Sequence, residues 1–459
     1  STTANTHQCF GIAAYNLALD CMADDLIMQS QGNGWFWGDH CYNVKSNYTS
    51  SAFRSYDVWY ANYKWIANVN YIIDAEPEMA GTEADVAYVA GQAYAIRALC
   101  YLNLATWFSR APYNSLTGAS RWNEPCVPVY TTGTSIDTGG QPRESLRTVY
   151  GRIDQDIDRA IELLEKARET TLAENNKSHI NLYVALGIKS RACLAEGDWD
   201  GAFKAAKRVI DEGGYAVGTK SDLTGGMNSL DKQNVMWGAG IQVADQAGGY
   251  AGFFTHMDNK EGDYAKSAPK LISKQLYNRI SATDIRRDWW DPSDKESPYV
   301  SKKFSFANVA SFLGDYIYMR VEEMYFTAAE AALRLDDLKS ARELMNTVMA
   351  ERDPGYSANN RSGTLLGATT TTWTGSFLEN ILTHRRIELW GEYGRLFDVR
   401  RLGQGIDRRT DDGFSEECIS MMNRRNVNIT KADTYDWVLT IPKAELDANP
   451  NINEEDQNP

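Results

Sequence analysis

The 459-residue chain is 43% hydrophobic, ample for a buried core, and carries a net charge of −14 with no long apolar span. That balance excludes nucleic-acid binding, because the chain shows no basic stripe to displace phosphate counterions. Aromatic residues reach 11%, with 13 Trp and 25 Tyr, the composition of a surface that grips something as well as of a core.

In chain order, the sharpest early signal is residues 31–48, QGNGWFWGDHCYNVKSNY. Gly32, Gly34 and Gly38 interrupt any regular element, so the rings of Trp35, Phe36, Trp37, His40, Tyr42 and Tyr48 are expected on an open loop. Flat rings stack on the apolar C–H face of a sugar, and Asn33, Asp39, Asn43 and Asn47 stand ready for its hydroxyls. Trp35, Trp37, Asp39, His40 and Tyr42 are therefore expected ligand contacts. The competing expectation is that Trp35 or Trp37 plugs the top of a helix bundle.

Helical periodicity follows at 55–73, at 85–108 and at 145–167, where Ser145 is the expected cap. Residues 181–213 read as two helices broken at Glu196-Gly197-Asp198 and stopped by Gly213-Gly214. Ala192, Ala195, Ala202 and Ala206 allow their close approach, as in a tetratricopeptide pair. Residues 320–352 repeat this logic around Asp336-Asp337. Residues 384–402 form another pair, whose arginines and acids spaced i,i+3 and i,i+4 predict a salt-bridged helix face with Leu389, Trp390, Leu396 and Phe397 turned inward.

The fold class expected is mainly α: about four tetratricopeptide-like helix pairs, with a loop-rich ligand-binding part containing a few short strands. The scaffold covers approximately 50–110, 145–213, 318–352 and 378–403; insertions cover 30–50, 109–144, 214–317 and 353–377. Short strands are expected at 234–243 and 437–442, and an extended tail over 437–459.

A second aromatic loop, 246–266, adds Tyr250, Phe253 and His256 to the expected contacts, beside Phe254 and Tyr264. Trp289 and Trp290 read as core, and the Thr run 369–374 with Trp373 as a flexible tip. No nucleophile, zinc or nucleotide motif is present, and the five histidines are scattered. Asp24-Asp25 lacks a visible second carboxylate at glycosidase spacing. No cofactor is expected; the one candidate is structural calcium at Asp245, Asp258, Asn259, Glu261 and Asp263, without EF-hand spacing. The seven cysteines form no C-x-x-C pair and leave the redox compartment open. Cys100 and Cys193 read as buried hydrophobes.

Residues 384–402, HRRIELWGEYGRLFDVRRL, and the ending IPKAELDANPNINEEDQNP together resemble the SusD/RagB family of Bacteroidetes surface lipoproteins. The family's IP-x-x-E-x-x-x-NPN…QNP tail stands at Ile441, Pro442, Glu445, Asn449, Pro450, Asn451 and 457–459. The W-x-x-x-Y…I-x-x-x-N rhythm of 55–73, Arg97, Tyr101, Leu104 and Phe108 in the next helix, and residues 319–335 extend the likeness over most of the chain. One departure is Phe108-Ser109-Arg110-Ala111-Pro112, where the family often reads F-G-x-x-P. The resemblance implies a non-catalytic binder of an oligosaccharide, or in the RagB branch a peptide, that delivers its ligand to a TonB-dependent, SusC-like barrel. It also implies a lipid anchor on an N-terminal Cys absent from this sequence, outer-membrane localisation, and a contribution of the loop after the first helix to the ligand site. The rival readings are a secreted glycoside hydrolase and a tetratricopeptide scaffold that binds only protein.

Overall fold

A computed structural model describes residues 6–42, 53–170, 172, 176–243 and 251–459. The protein is mainly helical with a few short antiparallel strands, as its periodicity predicts. The chain divides into two compact units: residues 44–208, 400–403 and 433–459 form the helical unit, and residues 1–43, 209–399 and 404–432 the mixed unit. Tyr48, Asn43, Asn47, Tyr250 and Asp245 lie outside the described residues.

In the helical unit, Phe53–Ala75, Glu83–Phe108, Leu146–Lys166 and Leu182–Glu196 pack in succession. Thr82, Ser145 and Asn181 start the last three by accepting N–H groups of the first turn, satisfying donors that helix geometry leaves free. Gly91 sets one close approach, since a Cβ there would stand 2.9 Å from Leu164. Arg97 crosses the same interface to hold Asp156 bidentately at 2.8 and 2.7 Å, and also donates to Asn70 Oδ1 at 2.7 Å. Gly197 breaks the chain at φ +76 before Trp199–Glu212. A side chain there would also meet the Tyr113 ring at 2.5 Å.

The C-terminal tail differs from its expected extended form. Lys443–Ala448 is a short helix, and Ile441, Asn449, Ile452 and Asn458 are buried. Residues 437–442 pair with no strand; instead the Leu439 N–H donates to the Trp107 carbonyl at 2.9 Å. Asn458 Nδ2 donates to the carbonyls of Phe108 and Leu439, both at 2.8 Å, and Arg143 donates to Asn458 Oδ1 at 2.9 Å. The asparagines and glutamine of the tail thus serve backbone groups with no other regular partner. Asn458→Ala is expected to cost about 1–3 kcal/mol by stranding two buried carbonyls, measured as a lower chemical-denaturation midpoint.

In the mixed unit, Val321–Arg334 and Leu338–Ala350 form the predicted hairpin, turned by Asp336 at φ +64 and capped by Asp337. Phe377–Glu388 packs on the first of these helices. Two small antiparallel sheets complete the unit. One orders Leu26–Met28, Lys270–Ile272, Val300–Ser301 and Trp290–Asp291; the other pairs Val235–Ala239 with Tyr316–Arg320. Trp289 and Trp290 are core, as read.

Two expectations are corrected here. The charged stretch 384–402 is not a helix face paired along itself, and Arg385, Arg386, Glu388 and Arg395 are all inside. Their partners come from distant sequence, as in Arg386 with Asp25 at 2.6 Å, so helix-face pairing is not what holds them. Residues 369–374 are no free tip either. The Thr370 hydroxyl donates to Asp24 Oδ2, and Arg279 covers the Trp373 ring at 4.1 Å.

Candidate functional site

The open hollow of the helical unit lies along Phe53–Ala75. Val58, Ile66 and Val69 turn one face of this helix into the core. The 3.6-residue period then sets Tyr56, Tyr60 and Lys64 in one row on the outer side, with Trp59 and Tyr63 in the adjoining row. Tyr56 and Tyr60 stack at 5.7 Å with an interplanar angle of 13°, and Trp59 and Tyr63 lie 4.9 Å apart at 47°. Tyr60 is 37% exposed, whereas Trp59 is buried and forms a floor.

The opposite wall is the irregular segment 128–138, pinned by polar groups of the helices. Tyr101 hydroxyl donates to the Tyr130 carbonyl at 2.9 Å and accepts its N–H at 2.7 Å. Asn70 Nδ2 donates to the Thr132 carbonyl at 2.9 Å, and Asp74 accepts the Gly133 N–H at 2.7 Å. These bonds set the Tyr130 ring edge-on to Tyr63, 5.9 Å away. The tail supplies the third wall: Glu445 Oε2 accepts the Trp59 indole N–H at 3.2 Å, and Oε1 accepts from Asn449 at 2.8 Å.

The resulting cleft has a volume of about 440 Å³ and adds the hydroxyls of Thr134, Ser135 and Thr138 to the rings. That size and lining suit a small ligand with apolar faces and polar edges. Burial raises the pKa of both Tyr63 and Tyr130 above the usual phenol range, so both hydroxyls stay protonated. Tyr63 hydroxyl is committed to the Pro128 carbonyl at 2.8 Å. Among the described residues that line it, Glu445 is the one carboxylate.

The rings expected on open loops are mostly inside the mixed unit. Trp37, Asp39, His40, Tyr42, Phe253 and His256 are buried. Tyr42 hydroxyl donates to the Met22 carbonyl at 2.6 Å, and His40 stacks on Phe414 at 5.6 Å. Phe253 packs on Phe254 and Phe304, and His256 Nε2 lies 2.6 Å from the His7 carbonyl oxygen. None of these offers a free face to a ligand. Trp35 is half-buried and has one face on His7, with ring centroids 4.6 Å apart and planes within 3°. The glycines did not prevent burial: Phe36 and Tyr42 adopt φ +61 and +54, turns that fold the rings inward.

Of the expected calcium donors, Asp258 and Asn259 have partners within the chain. Asp258 Oδ1 accepts the Lys260 and Glu261 N–H groups, and Asn259 bridges Lys270 and Ser301. Among the described residues no group of three His, Cys, Asp or Glu is placed to hold a metal ion. Asp24 and Asp25 are buried against Arg386 and Arg395. They hold the core rather than face a substrate.

Tyr60, Tyr63, Tyr130 and Glu445 were not singled out as ligand contacts. Their sequence signal is an aromatic row on the side of a helix opposite its aliphatic stripe.

Two family models match, one described as the SusD family over residues 258–459 and one as starch-binding, associating with the outer membrane, over residues 11–194. The chain belongs to the SusD/RagB family. A SusD-like carbohydrate-binding protein from Bacteroides vulgatus is 25% identical with a TM-score of 0.77, covering 99% of this chain and 94% of its own. Surface glycan-binding protein A from Bacteroides uniformis is 18% identical, TM-score 0.69, covering 98% and 95%. A laminarin-binding SusD-like protein is 17% identical, TM-score 0.67, covering 99% and 95%. No curated protein matches the chain. Starch binding and association with the outer membrane are both carried by the second description. Among the described residues of this SusD/RagB chain, no helix is long and apolar enough to cross a membrane.

Proposed function

We propose that this chain captures an oligosaccharide nutrient at the outer-membrane surface and passes it, uncleaved, to a TonB-dependent barrel. The observation that carries the reading is the aromatic cleft of Trp59, Tyr60, Tyr63 and Tyr130 with hydroxyls along its wall. Ring faces take the C–H face of a sugar, and hydroxyl groups replace the water its own hydroxyls lose. Glycoside hydrolysis would need two carboxylates about 5–9 Å apart, so analysis of the sugar chains after binding separates capture from cleavage. Attachment to the outer membrane through a lipid is part of the same proposal. Affinity is modest, since each stacking contact is offset by dehydrating polar groups.

Calorimetry against a panel of neutral oligosaccharides, with a peptide library as comparison, tests the reading. Saturable heat with at least one glycan and unchanged sugar chains afterwards is the expected result. Response to peptides alone, or shortened sugar chains in the product, sinks it. Co-purification of the lipid-bearing form with a barrel protein from outer membranes tests delivery.

A further inference from the structure

Among the described residues that line the cleft along Phe53–Ala75, Lys64 is the one cation. It is exposed, and among the described residues it makes no hydrogen bond, ion pair or ring contact. Elsewhere in the helical unit cations are taken up by carboxylates, as in Arg97 with Asp156, Arg110 with Glu124 and Lys189 with Asp158. The ammonium at the cleft is left to the solvent or to a ligand.

Its position favours the ligand. Lys64 stands one helical turn after Tyr60 in the same row, which puts their Cβ atoms about 5–6 Å apart. A sugar lying on the Tyr60 ring, which is 37% exposed, therefore has the lysine stem at its edge. Ala67 lines the cleft one turn further on and offers only a methyl group, so no larger side chain of that row fills the space beside Lys64. The one lining carboxylate does not compete for the ammonium. Glu445 Oε2 accepts the Trp59 indole N–H at 3.2 Å, and Oε1 accepts from Asn449 at 2.8 Å.

The chain as a whole carries −14 and repels anions at long range. A preference for an anionic ligand must then come from a local cation, and within the cleft Lys64 is that cation. A lysine ammonium is a compact point charge with three donors, suited to one anionic group of a single charge rather than to a planar, two-pronged partner.

We propose that the ligand of this cleft is an acidic oligosaccharide: one sugar stacks on Tyr60, and a singly charged substituent, a uronate carboxylate or a sulfate ester, meets Lys64. The inference rests on the glycan-capture reading and narrows its substrate class.

The test is calorimetry on the full chain with malto-, laminari-, cello-, manno- and galacto-oligosaccharides. Each is used neutral, oxidised to a carboxylate at its primary alcohols, and sulfated at the same positions. On at least one backbone an anionic form is expected to bind about fivefold tighter than its neutral parent, the scale of an exposed ion pair. A gain in the oxidised form alone assigns the carboxylate, and in the sulfated form alone the sulfate ester. Lys64→Gln is expected to abolish the gain and Lys64→Arg to keep most of it, both with thermal midpoints near that of the native chain because the side chain is exposed. Neutral sugars that bind as tightly as both anionic forms, or a gain that survives Lys64→Gln, overturn this inference and leave glycan capture standing. Binding of no sugar in any form overturns both.

Discussion

Glu388→Ala is expected to destabilise the fold by about 3–5 kcal/mol, the scale for breaking a buried charge cluster from one side. Glu388 accepts from Arg286 Nη1 at 3.1 Å, Arg320 Nη1 at 3.0 Å and Arg352 Nε and Nη2 at 2.9 and 3.0 Å. All four side chains are fully buried. With Lys303 included, four cations face four carboxylates, namely Asp284, Glu322, Glu388 and Glu392. The cluster is neutral as built, and removing Glu388 leaves one uncompensated positive charge in a medium that screens it poorly. Glu388→Gln keeps an acceptor oxygen and the side-chain volume, so a smaller loss is expected. Denaturant titration of both variants measures the difference; equal and negligible losses would mean the cluster contributes nothing.

The same residue sets an acid limit. Burial alone would raise the Glu388 pKa, but Arg352, Arg320 and Arg286 overcome it and hold the carboxyl well below its ordinary value of 4.5. A carboxylate depressed in the folded state lends its stability above the unfolded value. That stability drains away as pH falls through about 4.5 toward the folded value. The denaturation midpoint of the native chain should therefore fall steeply below that pH, and less steeply for Glu388→Gln.

These arginines show where sequence reading stops. The spacing of residues 384–402 marks a helix pair and its apolar side, and both are found. Spacing can propose only partners one turn away, whereas the partners of Arg386 and Glu388 sit at 24, 25, 286, 320 and 352. Helix limits were legible because caps and breakers act locally, as at Ser145, Gly197 and Asp337. The ring loops were misjudged for the opposite reason. Glycines at 32, 34 and 38 signal irregular backbone, but irregular backbone is also how a chain delivers Trp37 and Tyr42 into a core from a non-repeating direction. Tyr60 and Tyr63 were hidden by their regularity, since an aromatic on a helix reads first as packing. Only the placement of segment 128–138 and Glu445 around them turns the row into a cleft.

Tyr60→Ala is expected to weaken glycan binding by about tenfold, which corresponds to about 1.4 kcal/mol. Its ring is the most exposed of the stacked pair with Tyr56, so truncation removes contact area for a ligand while the core is barely touched. The thermal midpoint should stay close to that of the native chain. Tyr63→Phe separates ring from hydroxyl: stacking survives, while loss of the bond to Pro128 costs about 0.5–1.5 kcal/mol of stability. Trp35→Ala probes the other unit, where one ring face already lies on His7. Calorimetry on the three variants discriminates sharply, because each hypothesis moves a different one. A tenfold loss confined to Tyr60→Ala assigns the ligand to the cleft along Phe53–Ala75. Undiminished binding there, with loss in Trp35→Ala, would return the site to the glycine-rich loop and leave the cleft without a role in sugar capture.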